Sequence, residues 1–127
     1  MKKEAKHYHL DWTVVGDPGA RFENLVACHL LKWCHYLQDT EGRDIELRYF
    51  RDIDRREVDF VIMEDGKALQ FIECKSSRHS RGRSLKYLKA RFPQAAALQI
   101  DLTGQDDVLT KDTIRILPAT KLLGQLV

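Results

Sequence analysis

The sequence predicts an α/β domain, a mixed β-sheet flanked by helices, and three observations carry the prediction. An amphipathic stretch of helical period comes early, and three strand-like segments follow one another after it. The rest of the chain then yields a helix, two strands and a helix. At 127 residues the whole chain, 1–127, fits one domain.

Each element has its own warrant. Residues 5–12 read as a short extended lead-in, broken by Gly16-Asp17-Pro18-Gly19. Asp17 as cap and Pro18 in the first turn signal a helix start. Phe22, Leu25, Val26, Leu30, Trp33, Tyr36 and Leu37 then recur at helical spacing, which predicts one amphipathic helix over 18–38. A polar loop, Asp39 to Arg43, ends it. Residues 45–50 alternate as a strand, and 57–63 and 68–75 read as two more, joined through Asp65-Gly66. After the polar loop SSRHSRGR, Ser84 caps a predicted helix over 85–92 that Pro93 stops. The apolar run 95–100 suits an inner strand. Residues 113–117 form a last strand, and Pro118 opens a terminal helix carrying Leu122, Leu123 and Leu126.

Composition narrows the function. The chain is 43% apolar and 31% charged, which describes a folded, soluble protein rather than a disordered one. No apolar run reaches the ~18 residues of a membrane span, and the lysine-rich start has no signal-peptide core. Cys28, Cys34 and Cys74 are odd in number and lack CxxC spacing, so a reduced, cytoplasmic chain is expected. Neither GxxxxGK[ST] nor GxGxxG occurs, so no nucleotide cofactor is encoded.

The chemistry concentrates in the predicted hairpin. Glu73 and Lys75 are two apart on one strand and share a face, and Asp59 lies on the strand before. Carboxylates supply the hard oxygens that Mg²⁺ or Mn²⁺ prefers. A nearby lysine can orient water or neutralise charge on a phosphoryl oxygen. Glu23 borders the apolar stripe of the first helix and can face the sheet. Gathered acids repel unless a cation joins them. The plainer account is a set of solvated strand charges, but EVDFVI and FIECK are otherwise apolar, and an acid inside such strands needs a partner.

Parity adds a condition. A two-residue turn at Asp65-Gly66 with an unbroken ladder would pair Asp59 with Ile72 and turn it away from Glu73. A three-residue loop, Glu64-Asp65-Gly66, pairs Asp59 with Phe71 and keeps Asp59, Phe71, Glu73 and Lys75 on one face. The expectation is therefore a positive φ at Gly66 and no bulge elsewhere, with Val58, Phe60, Ile62 and Ile72 on the other face.

GARFENLVACHLLK, RYFRD, EVDFVI, the DGK turn and IECKSS, in that order, resemble the C-terminal domain of prokaryotic AAA-type ATPases. That domain, long described as of unknown function, is assigned to the PD-(D/E)XK nuclease superfamily. The likeness runs over most of 5–92, and PATKLLGQLV fits the family's end; the chain carries it without the ATPase core. It implies a restriction endonuclease-like core and a Mg²⁺-dependent DNA phosphodiesterase. Asp59 would be the acid of the second core strand, Glu73 and Lys75 the E-x-K pair, and Glu23 the acid of the first helix. Asp59, Glu73 and Glu23 would serve the metal, and Lys75 the attacking water. An ATPase or a second copy of the chain is an expected partner. The alternatives are an accessory module that binds nucleic acid or docks onto an ATPase, and a remnant of a larger ATPase.

Seven cations and no acid run from Lys75 to Arg91: Lys75, Arg78, Arg81, Arg83, Lys86, Lys89 and Arg91. Arg78, Arg81, Arg83 and Lys86 are candidates to hold a nucleic-acid backbone, against the plainer account of a solvated loop and helix face. Arg51 and Glu57 could join the rim of the site. Cys28-His29 and Cys34-His35 lack zinc spacing, His29 reads as a core histidine, and Cys74 as a small core residue pointing away from Glu73.

Overall fold

A computed structural model describes residues 3–4, 18–51, 57–75, 83–102 and 107–125. Elements follow in the order β1 (Lys3–Glu4), α1 (Pro18–Glu41), β2 (Ile45–Arg51), β3 (Glu57–Glu64), β4 (Lys67–Lys75), α2 (Arg83–Arg91), β5 (Ala96–Asp101), β6 (Val108–Leu109), β7 (Ile114–Pro118) and α3 (Ala119–Gln125). Among the described residues the strands form one sheet in the order β1-β2-β3-β4-β5-β7-β6. The first four strands are antiparallel, β4, β5 and β7 are parallel, and β6 returns antiparallel to β7. The mixed α/β sheet is as the sequence predicts. The lead-in at 5–12, Asp17 and Leu126 lie outside the described residues.

Helices cover both faces. Phe22, Val26, Ala27, Leu30, Cys34 and Leu37 of α1, with Ala119 and Leu122 of α3, pack on Ile45, Phe60, Ile62, Ile72, Leu98, Ile100 and Leu117. On the other face Leu85 and Leu88 of α2 pack on Phe50, Val58, Val61, Met63, Phe71, Ala97 and Ile114. Phe71 is fully buried beside Phe92, ring centroids 5.8 Å apart. Truncating such a side chain to alanine removes about 3–5 kcal/mol of stability.

Helix α1 runs past the polar loop expected at 39, because a polar tail on its exposed side meets no obstacle before Gly42. There φ is +64°, and Gly42 N–H donates to Gln38 O, a left-handed cap. Arg43 then grips Glu64 with two hydrogen bonds of 2.7 and 2.6 Å, and Gln38 Nε2 donates to Ile45 O. These contacts fix the C-terminal end of α1 at the hairpin end of the sheet. The chain reverses into β2, so the first turns of α1, with Glu23, lie toward the opposite end, where β4 and β5 finish. Helix α2 begins at Arg83, so Ser84 is inside it, and Pro118 ends β7 rather than opening α3. The sequence reading has no counterpart to β6, whose two residues are too few to show a period.

The hairpin corrects the parity expectation. Glu64 pairs with Lys67 across a two-residue turn, with φ +53° at Asp65 and +77° at Gly66, as a type I′ turn requires. The positive φ at Gly66 is as expected; the three-residue loop and the absence of a bulge are not. Met63 pairs with Ala68 but Ile62 with Gln70, so Leu69 bulges from β4. The bulge flips parity: Leu69 and Ile72, three apart, both pack toward α1, while Ala68 and Phe71 pack toward α2. From there Val61 pairs with Phe71 and Phe60 with Ile72. A second shift, between Arg48↔Val61 and Phe50↔Val58, puts an extra residue into β3. It moves Val58 to the α2 face, contrary to the expected grouping with Phe60, Ile62 and Ile72, which do face α1.

Candidate functional site

Asp59 sits at the β3 irregularity, one residue outward from the Phe60↔Ile72 pair, so the register points it toward Glu73. Its carboxylate does ladder work: Cys74 N–H donates to Asp59 Oδ2 at 2.8 Å, where a backbone acceptor would otherwise stand. A charged acceptor makes such a bond one of the stronger kind. Asp59 is thus fastened to the strand segment that carries Glu73 and Lys75.

Glu73 is buried and Lys75 half-buried, and Lys75 Nζ lies 3.5 Å from Glu73 Oε1. With Phe71 they share the α2 face of β4. Cys74 lies between them and packs toward α1, as its parity predicts. Two further polar residues occupy the same face of β5. Gln99 pairs with Glu73 and Asp101 with Lys75 in the parallel register, and both are almost wholly buried. Gln99 Nε2 donates to Asp101 Oδ1 at 3.3 Å. Sequence reading misses this pair, Gln99 inside the apolar run and Asp101 just past it. The available signal is two polar residues two apart at its end, in the parity of a strand facing a neighbour.

Glu23 is half-buried near the start of α1. It belongs to the helix covering the opposite face, at the same end of the sheet, so Asp59, Glu73 and Lys75 form the tighter group. Among the described residues no three His, Cys, Asp or Glu side chains converge as a ready metal cage. The hard-oxygen donors Asp59 and Glu73 still suit Mg²⁺, which takes one or two carboxylates and keeps waters or substrate phosphates for the rest.

The basic run divides. Arg78 and Arg81 lie outside the described residues, and Arg83 is the first residue of α2. Lys86 is exposed and lies 3.4 Å from Asp112, on the turn between β6 and β7. Lys89 Nζ donates to the carbonyls of Pro93 and Ala95 at 2.9 and 2.8 Å, closing the end of α2. Arg91 donates to Tyr87 Oη and lies over the Phe92 ring. The C-terminal cations of α2 therefore have structural employment. Arg51 and Glu57 are backbone partners at the ends of β2 and β3.

The other candidates resolve plainly. His29 is half-buried, and its Nδ1 lies 2.9 Å from Leu25 O of its own helix. Cys34 is buried, and burial pushes its thiol up to about 11, so it is an inert core residue. Among the described residues no helix is long and apolar enough to cross a membrane.

Comparison with curated proteins and with solved structures gives no match. A family model described as a domain of unknown function, DUF4143, matches residues 18–122, from the first residue of α1 into α3. Spanning both helical layers and the strands between them, that match shows that the chain belongs to the DUF4143 family.

Proposed function

We propose that this chain is a Mg²⁺-dependent DNA phosphodiesterase, a nuclease of the PD-(D/E)XK type, as the resemblance to the C-terminal domain of AAA-type ATPases implies. The observation that carries the reading is the Asp59–Cys74 hydrogen bond, which ties one acid to the strand bearing Glu73 and Lys75. A bulge in β4 restores the parity that a two-residue turn alone would spoil, and this supports a site at that end of the hairpin.

Asp59 and Glu73 would hold the ion, with Glu23 assisting through water. When bound, Mg²⁺ (or Mn²⁺) would supply Lewis-acid polarisation of a phosphoryl oxygen and a more acidic water. The Cys74 N–H holds Asp59 through Oδ2 at the strand end where Glu73 and Lys75 stand. Lys75 orients the attacking water and offsets charge that accumulates on the phosphoryl oxygens. Arg78, Arg81, Arg83 and Lys86 would hold the DNA backbone. The reading keeps an ATPase or a second copy of the chain as partner.

The test is cleavage of plasmid, linear, single-stranded and branched DNA with Mg²⁺ or Mn²⁺, with Lys75→Ala as control. Metal-dependent cleavage by the wild type, lost in Lys75→Ala, is expected. Equal cleavage by both proteins would defeat the assignment. Binding without cleavage on any substrate would leave an accessory nucleic-acid module.

A further inference from the structure

Four polar side chains share the α2 face where β4 and β5 end. Glu73 and Lys75 come from β4, and Gln99 and Asp101 stand opposite them in register. Gln99 and Asp101 are each 1% exposed. Charges at such depth act on one another through little intervening water. The Gln99 amide, 3.3 Å from Asp101 Oδ1, restricts that carboxylate's rotation beside Lys75. Leu102 N–H donates to Lys75 O at 3.0 Å, so the strands stay laddered here and the backbone sets the Lys75–Asp101 separation.

Glu73 faces two demands. In the structure its Oε1 lies 3.5 Å from the Lys75 ammonium. If Glu73 also ligates a divalent cation, its charge is drawn to that ion, and the ammonium is repelled by the same ion. Lys75 then needs another counter-charge within its reach. We propose that Asp101, oriented by Gln99, is that counter-charge: a positioning residue that receives the Lys75 ammonium when Glu73 turns to the metal. The proposal rests on the metal-dependent reading of the site. No bond is broken and no proton moves; the ammonium passes from one carboxylate to the next strand's. Lys75 has 27% of its side chain exposed, so the side chain is not sealed within the sheet.

The test is calorimetric titration of Mn²⁺ into the full chain, without DNA, for wild type, Asp101→Asn, Lys75→Met and the double variant. Asn preserves shape and the acceptor for Gln99 while removing the charge. Asp101→Asn should weaken Mn²⁺ binding about ten- to hundredfold, as loss of an outer-shell partner does. In the Lys75→Met background the same substitution should change nothing, because no ammonium then needs the counter-charge. Equal weakening in both backgrounds would overturn the proposal, since Asp101 would then serve the metal or the fold directly. A wild type that takes up no Mn²⁺ would overturn the metal reading and this inference with it, a failure visible before any variant is compared. Should Asp101→Asn melt out at the titration temperature, Gln99→Met in the two Lys75 backgrounds carries the same cycle. It is expected to show a smaller loss with the same dependence on Lys75, and independence from Lys75 would refute the proposal.

Discussion

Asp59 holds two roles that a pair of substitutions separates. Its carboxylate accepts the Cys74 N–H at 2.8 Å, and it is the proposed metal ligand on β3. Asp59→Asn retains an oxygen for that N–H but loses the charge; Asp59→Ala loses both. A hydrogen bond to a charged group contributes about 1.5–3 kcal/mol and a neutral one about 0.5–1.5 kcal/mol. Asn should therefore remove about 1 kcal/mol, and Ala about 1.5–3 kcal/mol. With 127 residues, an unfolding entropy of about 2.1 cal/mol/K per residue sums to about 0.27 kcal/mol/K. The melting temperature should then fall by about 4 °C for Asn and about 6–11 °C for Ala. Mn²⁺ affinity, in contrast, should collapse in both. Thermal melts followed by circular dichroism and calorimetric Mn²⁺ titration measure the two axes. Equal melting losses would refute the ladder role of the carboxylate. Unchanged Mn²⁺ affinity in Asp59→Asn would remove the metal from the mechanism.

Gly66→Ala meets nothing within 4 Å of the new Cβ but must hold φ at +77°, so strain alone should lower stability by about 1–2 kcal/mol, read as a shifted urea midpoint; an unshifted midpoint would show that the turn relaxes freely. Neutralising Arg78, Arg81 and Arg83 together should flatten the log–log salt dependence of duplex DNA binding by about 2.7, about 0.9 for each lost phosphate contact. Lys89→Gln should leave that slope alone and lower stability instead, because its ammonium closes α2 on two carbonyls. Acid should weaken the fold through Asp107, held down by Arg115 and Lys121, and Glu64, held down by Arg43. Both folded pKa values lie below the unfolded ones, so their stabilisation is complete above about pH 4.5 and is lost as pH falls further. Asp107→Asn should make the melting temperature less sensitive to pH between 5 and about 2, and an unchanged sensitivity would contradict this.

The helices and main strands are legible because their apolar periods differ, 3.6 against 2, and long segments average out exceptions. What escapes notice is what changes no residue type. Leu69 looks like any strand leucine, and only its packing with Ile72, three residues on, betrays the bulge. Val58 is an ordinary member of an alternating run until the irregularity beside it turns it over. Asp59, Glu73 and Lys75 stand out because charge inside an apolar strand is conspicuous. Gln99 and Asp101 do not, because Ala95 to Ile100 reads as one uninterrupted inner strand and Asp101 as the polar residue that ends it. The roles of Lys89 and Arg91 are hidden for the opposite reason: a run of cations invites one explanation, while each side chain settles its charge locally.

An odd number of residues separates Asp59 from Glu73, whereas a two-residue turn places opposite one another residues with an even number between them. One residue has to be pushed out of line, and Leu69 is that residue. Strand β4 therefore carries one residue of slack. Deleting Leu69 irons β4 flat and leaves every pair beyond it unchanged, at the loss of that side chain's packing. A second deletion finds no slack and forces β3 to buckle or the strands to slide. An insertion must swell the turn or raise another bulge. Length changes are thus lopsided in their effect: one residue can leave β4 without disturbing the facing of the two acids, and two cannot.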